Sequence, residues 1–206
     1  MKKIPLPKID WSKTAGLVPA IVQDAATLQV LMLGYMDPAA LQKTVRTRRV
    51  TFFSRTKQRL WTKGETSGHF LHVVSLEVDC DNDTLLIAAR PDGPTCHRGT
   101  PSCFGDGGAR GVGFLAALDQ VVAARLKRGG KDSYTARLAK EGLARVAQKV
   151  GEEGVETALA ALAAGDAEFA GEAADLLFHL IVLLRVKKMA LATAVAVLEK
   201  RHAAKK

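Results

Sequence analysis

The stretch Gly105-Asp-Gly-Gly-Ala-Arg-Gly-Val-Gly113 divides this chain of 206 residues into two parts of different texture. Five of its nine residues are glycine, which is typical of a flexible connector. Before it, short apolar runs alternate with turn residues. After it, the chain is rich in alanine and leucine and contains no proline. We therefore predict two domains, 1–108 and 112–206, with a glycine-rich linker at about 105–113.

The first part reads mainly as β-strands. Short runs rich in branched and aromatic residues predict strands near 18–22, 28–33, 50–53 and 70–78. Asp37-Pro38 resembles a helix N-cap followed by proline in the first turn, which predicts a helix to about Arg46. One helix among several strands predicts an α+β domain that is mostly β.

The second part has apolar residues at helical spacing. It predicts an all-α bundle with helices near 113–128, 134–164, 167–188 and 190–203. Breaks are expected at Gly129-Gly130 and Gly165-Asp166, where glycine interrupts the pattern.

Composition narrows the classes of function. The net charge of +9 is spread over both halves apart from short clusters, and charge alone does not separate nucleic acid from nucleotide. Only 5% of residues are aromatic, which argues against a nucleic-acid-binding surface. No apolar run reaches the roughly 18 residues that span a membrane, and the first residues do not resemble a secretory signal. Three cysteines in this context predict free thiols and a cytoplasmic protein.

All three cysteines, Cys80, Cys96 and Cys103, fall in one short stretch. Thiolates select soft or borderline ions such as Zn²⁺, and three protein ligands leave a position for water, as in catalytic zinc sites. His97 could complete the coordination or act as a general base. The plainer alternative is that these are ordinary core or loop cysteines.

Asp79, Asp81 and Asp83 alternate around Cys80 and Asn82. On a continuing strand the three carboxylates would share one face about 6–7 Å apart, and a hard ion such as Mg²⁺ would offset their repulsion. The alternative is an aspartate-rich turn with solvated carboxylates.

The loop Lys63-Gly-Glu-Thr-Ser-Gly68 combines a cation, two hydroxyls and two glycines. We consider Lys63, Gly64, Glu65, Thr66, Ser67 and Gly68 a candidate phosphate-binding loop, since backbone amides and a lysine can approach phosphate closely there. It lacks the order of a Walker A loop, and a plain hairpin turn is the alternative.

Carboxylates also recur at helical spacing in the second part. Glu152, Glu153 and Glu156 share one helix face, and Glu172 and Asp175 lie on the next helix with His179 beyond them. Antiparallel packing of these helices would gather oxygen ligands suited to Mg²⁺. A solvated acidic stripe is the alternative, although the flanking residues are mostly apolar.

These motifs resemble those of a known family. The N-terminal ones are Gly16-Leu-Val-Pro-Ala-Ile-Val-Gln-Asp24, Val30-Leu-Met-Leu-Gly-Tyr-Met36, Thr51-Phe-Phe-Ser-Arg55, Leu60-Trp-Thr-Lys-Gly-Glu-Thr-Ser-Gly68, Asp79-Cys-Asp-Asn-Asp83 and the segment from Cys96 to Phe104. They resemble the phosphoribosyl-AMP cyclohydrolases. Ser133-Tyr-Thr135, Lys149-Val-Gly-Glu-Glu-Gly-Val-Glu156 and Glu172-Ala-Ala-Asp-Leu-Leu-Phe-His179 resemble the phosphoribosyl-ATP pyrophosphatases, whose helical domain is of the MazG-like type. Their order is similar to that in the bifunctional proteins of histidine biosynthesis.

The resemblance implies two successive hydrolyses. The second domain would convert phosphoribosyl-ATP to phosphoribosyl-AMP and pyrophosphate, and the first would open the adenine ring between N1 and C6. It further implies Zn²⁺ on Cys80, Cys96 and Cys103, with Cys80 contributed across a homodimer interface, and Mg²⁺ on the three aspartates. Glu152, Glu153, Glu156 and Asp175 correspond to the helical metal ligands, with Glu172 in the same motif. Gly34 stands where alanine is more frequent, a departure that touches no ligand.

Two rival interpretations stay open at this point. The basic charge suggests a zinc-containing nucleic-acid module, against which the low aromatic content and the acidic run both argue. The helical domain could instead be a general nucleotide-cleaning pyrophosphohydrolase. We expect small phosphoribosyl nucleotides as partners, with no nucleic acid and no membrane.

Overall fold

The computed structural model describes residues 4–105, 108–129, 133–163 and 165–204. The chain forms two compact units, Met1–Phe114 and Leu115–Lys206. All strands of the described residues lie in the first unit, and the second is helical. The predicted fold class, a mostly β domain with one helix followed by an all-α domain, is therefore confirmed.

The first unit contains the elements β1 (Val18–Asp24), β2 (Val30–Met36), α1 (Pro38–Thr47), β3 (Thr51–Ser54), β4 (Arg59–Thr62), β5 (Leu71–Val78) and β6 (Leu85–Pro91). Four of the strands form a sheet in the order β2-β1-β6-β5. Strands β1 and β6 run parallel, and the other neighbours in this sheet are antiparallel. A separate antiparallel hairpin pairs β3 with β4.

The alternation of buried and partly exposed residues along the strands shows which face of the sheet packs on the core of this unit. In β1, Val18, Ala20 and Val22 are fully buried while the residues between them are partly exposed, as expected for strands with one face on a core. Helix α1 begins as predicted, because Asp37 accepts a hydrogen bond from the Ala40 N–H at 2.7 Å.

Two strands were not predicted from the sequence. Strand β4 is only four residues long, and β6 contains alanines that have low strand propensity. Strand β6 nevertheless lies inside the sheet, between β1 and β5. It pairs with β5, the strand directly before it, and also in parallel with β1, and local pattern does not reveal this second, distant pairing.

The second unit contains five helices among its described residues: α2 (Gly113–Arg128), α3 (Tyr134–Lys140), α4 (Leu143–Ala163), α5 (Asp166–Val186) and α6 (Leu191–Ala203). Its buried core is formed by Val122, Leu138, Val146, Ile181 and Val182. Asp119, which is 5% exposed, accepts hydrogen bonds from both Nε and Nη2 of Arg185, and this ion pair connects α2 with α5. None of the helices in the described part of the chain combines the length and apolar character needed to cross a membrane.

The prediction of a single helix over 134–164 is wrong. Helix α3 ends at Lys140, and α4 starts at Leu143 after Gly142, whose φ of +99° is in the left-handed region. The other helix predictions agree with the structure to within two residues. Parts of several predictions lie outside the described residues: residues 1–3 and 205–206 of the predicted domains, positions 106–107 of the linker, Gly130 of the predicted break, and position 164 of the predicted helix end.

Gly34 packs against an aromatic ring. A Cβ at this position would lie 2.3 Å from Cδ1 of Phe52, which is itself 2% exposed and stacked on Trp61. We expect Gly34→Ala to lower the free energy of unfolding of the first domain by about 1–3 kcal/mol through overpacking. Urea unfolding followed by tryptophan fluorescence measures this domain selectively, because both tryptophans of the chain, Trp11 and Trp61, lie in it.

The matched control is a double-mutant cycle with Phe52→Leu, which removes the ring that alanine meets. The double variant should lose less stability than the sum of the two single variants. An unchanged midpoint for Gly34→Ala alone would contradict the close packing of Gly34 on Phe52.

Candidate active sites

A cavity of about 500 Å³ lies in the first unit. Its walls include Cys96, His97 and Cys103 together with four residues of the candidate loop, Lys63, Gly64, Thr66 and Ser67. Met32, Trp61, His69, Pro94, Thr95 and Gly99 complete the lining. Of the predicted loop residues, Glu65 and Gly68 do not line this cavity. The fold thus brings two of the three cysteines and most of the loop to one place.

Cys103 is held by the edge of the main sheet. Strand β2 is an outer strand, so its carbonyl groups are free to accept hydrogen bonds from outside the sheet. The Cys103 N–H donates to the Leu31 carbonyl at 2.8 Å, and the Ser102 hydroxyl donates to the Val30 carbonyl at 2.8 Å. The cysteine-bearing segment is therefore anchored by the backbone of β2.

Cys96 lies in a tight turn beside Cys103. Its N–H donates to the Thr100 carbonyl at 3.0 Å, and its carbonyl accepts from Gly99, whose φ is +82°. A hydrogen bond from the Arg98 backbone N–H, aided by Thr100, lowers the pKa of the Cys96 thiol. Burial raises the pKa of the Cys103 thiol, although the residue as a whole is exposed. The His97 Nδ1 lies 3.9 Å from the Cys96 sulfur.

Lys63 and Thr95 add polar groups to the cavity wall. Lys63 is 7% exposed, and among the described residues its ammonium donates one long hydrogen bond, 3.4 Å, to the His69 carbonyl. Burial lowers the pKa of Lys63, while the thiolates of Cys103 and Cys96 act in the opposite direction. The Thr95 hydroxyl is buried without a hydrogen-bond partner in the described residues. Both groups are available to a polar ligand.

The aspartates lie in a turn, not on an extended strand. Strand β5 ends at Val78, and Asp79 Oδ1 accepts the backbone N–H groups of Asp83 and Thr84, each at 3.0 Å. Although burial raises the pKa of Asp79, these backbone hydrogen bonds lower it overall. The turn still brings carboxylate oxygens of Asp79, Asp81 and Asp83 within 4.8 Å of one another. Lys13 contacts Asp81 at 3.1 Å.

Cys80 does not join the other two cysteines within one chain. It is exposed in the aspartate turn, and the described residues contain no group in which all three sulfurs lie within 4.8 Å. Two adjacent sulfurs, one with a lowered pKa, fit Zn²⁺ in part, and a third thiolate would have to come from elsewhere. The three aspartate oxygens fit a hard ion such as Mg²⁺.

The second unit contains its own carboxylate cluster. Glu153 and Glu156 on α4 and Glu172 on α5 have oxygens within 4.8 Å of one another, and Glu153 is 5% exposed. Burial raises the pKa of Glu172, and the charges of Glu156 and Glu153 raise it further. Repulsion of this kind is relieved by a divalent cation, so the donor set fits Mg²⁺.

The other two predicted carboxylates are not in the described group whose oxygens lie within 4.8 Å of one another. Glu152 is paired with Lys149 and Arg145 at 3.0 Å each. Asp175 is exposed and is not among the clustered carboxylates, although its backbone carbonyl accepts a hydrogen bond from His179. Lys149 also contacts Glu153 at 2.7 Å, and the hydrogen bonds to Glu153 and Glu152 raise its pKa.

Sequence reasoning missed the groups that surround Glu153. The ring of His179 lies between Tyr134, whose hydroxyl is 2.9 Å from Nε2, and Glu153, 3.4 Å from Nδ1. Lys149 could have been found, because its spacing of three and four residues from Glu152 and Glu153 places it on their face. No local signal connects Tyr134 with His179, which lies 45 residues later.

Comparison with known proteins agrees with this division. Residues 32–105 match the phosphoribosyl-AMP cyclohydrolase family, and residues 115–202 match the phosphoribosyl-ATP pyrophosphohydrolase family. A histidine biosynthesis bifunctional protein HisIE from Xylella fastidiosa (strain Temecula1) is 59% identical over 199 residues, 97% of this chain and 95% of the relative. Those of Salmonella typhimurium (strain LT2) and Escherichia coli (strain K12) are 58% identical over 195 residues, 95% of this chain and 96% of theirs.

The chain belongs to the bifunctional HisIE family. It is a bifunctional hydrolase with a cyclohydrolase domain followed by a pyrophosphohydrolase domain, and it serves two steps of histidine biosynthesis. The resemblance predicted from the sequence is confirmed. The cysteine cavity and the aspartate turn lie in the cyclohydrolase half, and the glutamate cluster lies in the pyrophosphohydrolase half.

The raised pKa of Glu172 leads to a prediction on stability. A carboxyl whose pKa is raised by folding destabilises the fold when ionised, so the loss applies above that pKa and is relieved as pH falls. At neutral pH and without divalent ions, we expect Glu172→Gln to raise the melting temperature of the helical domain. Added Mg²⁺ should raise it less than in the unmodified protein. Far-ultraviolet circular dichroism with and without Mg²⁺ measures both effects.

Glu199→Gln is the matched control, because Glu199 is exposed on α6 and its substitution removes the same negative charge. It should leave the response to Mg²⁺ unaltered. A Glu172→Gln variant with the full Mg²⁺ response would remove Glu172 from the metal-binding cluster.

Proposed function

We propose that the cyclohydrolase domain opens the adenine ring of phosphoribosyl-AMP between N1 and C6 with the help of zinc. The pyrophosphohydrolase domain would release pyrophosphate from phosphoribosyl-ATP with the help of magnesium. The observation that carries the first part is the adjacent pair Cys96 and Cys103 in a cavity large enough for a nucleotide base. The second part rests on the three clustered carboxylates between α4 and α5.

In the first domain, Cys96 and Cys103 would hold Zn²⁺ together with Cys80 of a second copy of the chain. Cys80 suits this role because it is exposed and lies away from the other two sulfurs in its own chain. Zinc held by these residues would supply a Lewis acid and an activated water for ring opening. A homodimer follows from this ligand set. Free thiols of this kind persist in the reducing cytoplasm, where we place the protein.

The chain's own residues would orient the substrate. Thr95 offers an unpaired hydroxyl at the cavity wall, and Lys63 offers a buried cation beside the two sulfurs. These groups can hold the polar edge of the base and stabilise negative charge that develops there. His97, adjacent to the Cys96 sulfur, is positioned to move a proton or to orient that thiolate. The three aspartates of the turn would hold Mg²⁺.

In the second domain, Glu153, Glu156 and Glu172 would hold Mg²⁺. Such an ion would supply charge neutralisation for hydrolysis of a phosphoanhydride. Lys149 and His179 contact Glu153 and fix its carboxylate. Lys149 and Arg145 also form ion pairs with Glu152. Glu152 would therefore either hold Lys149 in place or, after a rearrangement of these ion pairs, become a further metal ligand.

The two activities separate by mutation. Purified protein given phosphoribosyl-ATP, Mg²⁺ and Zn²⁺ should yield the ring-opened product. Cys103→Ala should stop at phosphoribosyl-AMP, and Glu153→Ala should leave phosphoribosyl-ATP uncut, each with at least about a hundredfold loss, since even outer-shell changes cost 10–100-fold. Chromatographic separation of the nucleotides measures each step.

Each variant serves as the control for the other, because Glu153→Ala should still open the ring of supplied phosphoribosyl-AMP. Ring opening at the normal rate by Cys103→Ala would refute the zinc assignment. Cleavage of dATP as efficiently as phosphoribosyl-ATP would favour the general nucleotide-cleaning alternative for the second domain.

The shared Cys80 predicts complementation between subunits. Cys80→Ala and Cys103→Ala should each be inactive in ring opening. After unfolding and refolding together, half of the dimers are mixed, and each mixed dimer has one intact site. About a quarter of the normal activity should therefore return. If the mixture stays inactive while the unmodified protein survives the same treatment, Cys80 does not serve a partner's site.

A further inference from the structure

A second cavity of about 250 Å³ lies next to the cysteine cavity and belongs to neither metal cluster. It is lined by Ser54, Lys57, Arg59, Trp61, Glu65 and Thr66. Trp61 and Thr66 also line the larger cavity, so the two spaces are neighbours separated by a shared wall. A substrate longer than a single base could extend from one into the other.

The β3–β4 hairpin builds this second cavity. Ser54 and Arg59 are cross-strand partners at the end of the hairpin, where side chains of a pair lie close together. The Lys57 N–H donates to the Ser54 hydroxyl at 3.2 Å, which shapes the connecting turn. The facing wall comes from Glu65 and Thr66 of the loop that follows β4.

The charged side chains that line this cavity, Lys57, Arg59 and Glu65, have a net positive charge. Arg59 contacts Glu65 at 2.7 Å, and Glu65 also accepts the Thr62 N–H at 3.2 Å, so these two opposite charges compensate each other. The hydrogen bond from Arg59 lowers the pKa of Glu65, which keeps the pair ionised. Within the described residues Lys57 has no ion-pair partner. One cation therefore remains beside the Ser54 and Thr66 hydroxyls.

Different residues of the loop after β4 line the two cavities. Lys63 lies with the sulfurs in the larger cavity, where the reacting base would bind, and is buried there. Glu65 faces the second cavity, and Thr66 borders both. The cation available to a charged group remote from the reaction is thus Lys57. Trp61, stacked on Phe52 at 5.7 Å between ring centroids, gives the shared wall a fixed orientation.

We propose that the second cavity, with Lys57 and the hydroxyls of Ser54 and Thr66, binds a phosphate monoester group of the cyclohydrolase substrate. A lone ammonium with neighbouring hydroxyls matches the charge and acceptor oxygens of a phosphate. This inference rests on the proposed ring-opening function. In this arrangement the phosphate binds at the tip of the β3–β4 hairpin, and Lys63 contacts the base in the larger cavity.

Lys57→Gln tests the subsite. We expect KM for phosphoribosyl-AMP to rise about tenfold, with a much smaller change in kcat, because the lost contact is remote from C6 and is made in ground and transition states alike. Lys57→Arg should restore most of the affinity. Lys8→Gln is the matched control, since Lys8 is also an exposed lysine of the first domain but does not line either cavity.

Calorimetric binding of AMP and adenosine shows which phosphate is held. If Lys57→Gln removes the preference for AMP over adenosine, the subsite binds the phosphate on the N9-linked ribose. If AMP binding is unchanged and only KM for phosphoribosyl-AMP rises, it binds the phosphate on the N1-linked ribose. Unchanged KM and unchanged AMP binding would overturn the subsite. That result leaves ring opening by the unmodified protein intact, so the two proposals fail separately.

Discussion

Repulsion between carboxylates gathered within a few ångströms is the constraint on which both halves of this protein depend. In the first domain Asp79, Asp81 and Asp83 are brought together by a turn, and in the second Glu153, Glu156 and Glu172 are brought together by helix packing. In the second cluster, burial and then the charges of Glu156 and Glu153 raise the pKa of Glu172, whereas in the first cluster, despite burial, backbone hydrogen bonds lower the pKa of Asp79. Lys13 and Lys149 offset part of the charge. The remainder is the physical basis for proposing a divalent cation at each cluster.

The position of Cys103 depends on a different feature, the unpaired edge of the main sheet. Strand β2 has only one neighbour in its sheet, and its Val30 and Leu31 carbonyls hold the segment of Ser102 and Cys103. Edge strands are exposed to unwanted pairing, and covering them with a loop is one natural solution. Here the covering loop also delivers a sulfur to the cavity. Structural protection and placement of a reactive group are therefore achieved by the same hydrogen bonds.

The elements that the sequence predicted well are those with strong local signals. The N-cap at Asp37 and the alternation of β1 are readable because they depend on neighbours within a few residues. Strand β6 and the break at Gly142 were missed for opposite reasons. Strand β6 has weak strand propensity and lies inside the sheet through its parallel pairing with the distant β1, in addition to its pairing with the preceding β5. Gly142, by contrast, lies in a strongly helical context that masked its left-handed conformation.

By itself, the sequence determined the two-domain composition, the family and the residue types able to bind metal, because these depend on local pattern and motif. Only the tertiary structure decided which of those residues meet. Glu172 of α5 joins Glu153 and Glu156 of α4, while Glu152 pairs with Lys149 and Arg145, although the three glutamates of α4 share helical spacing. Likewise Cys96 and Cys103 share a cavity and Cys80 stays outside it. The reason is geometric, since spacing along a chain defines a face but packing against distant elements defines which faces touch.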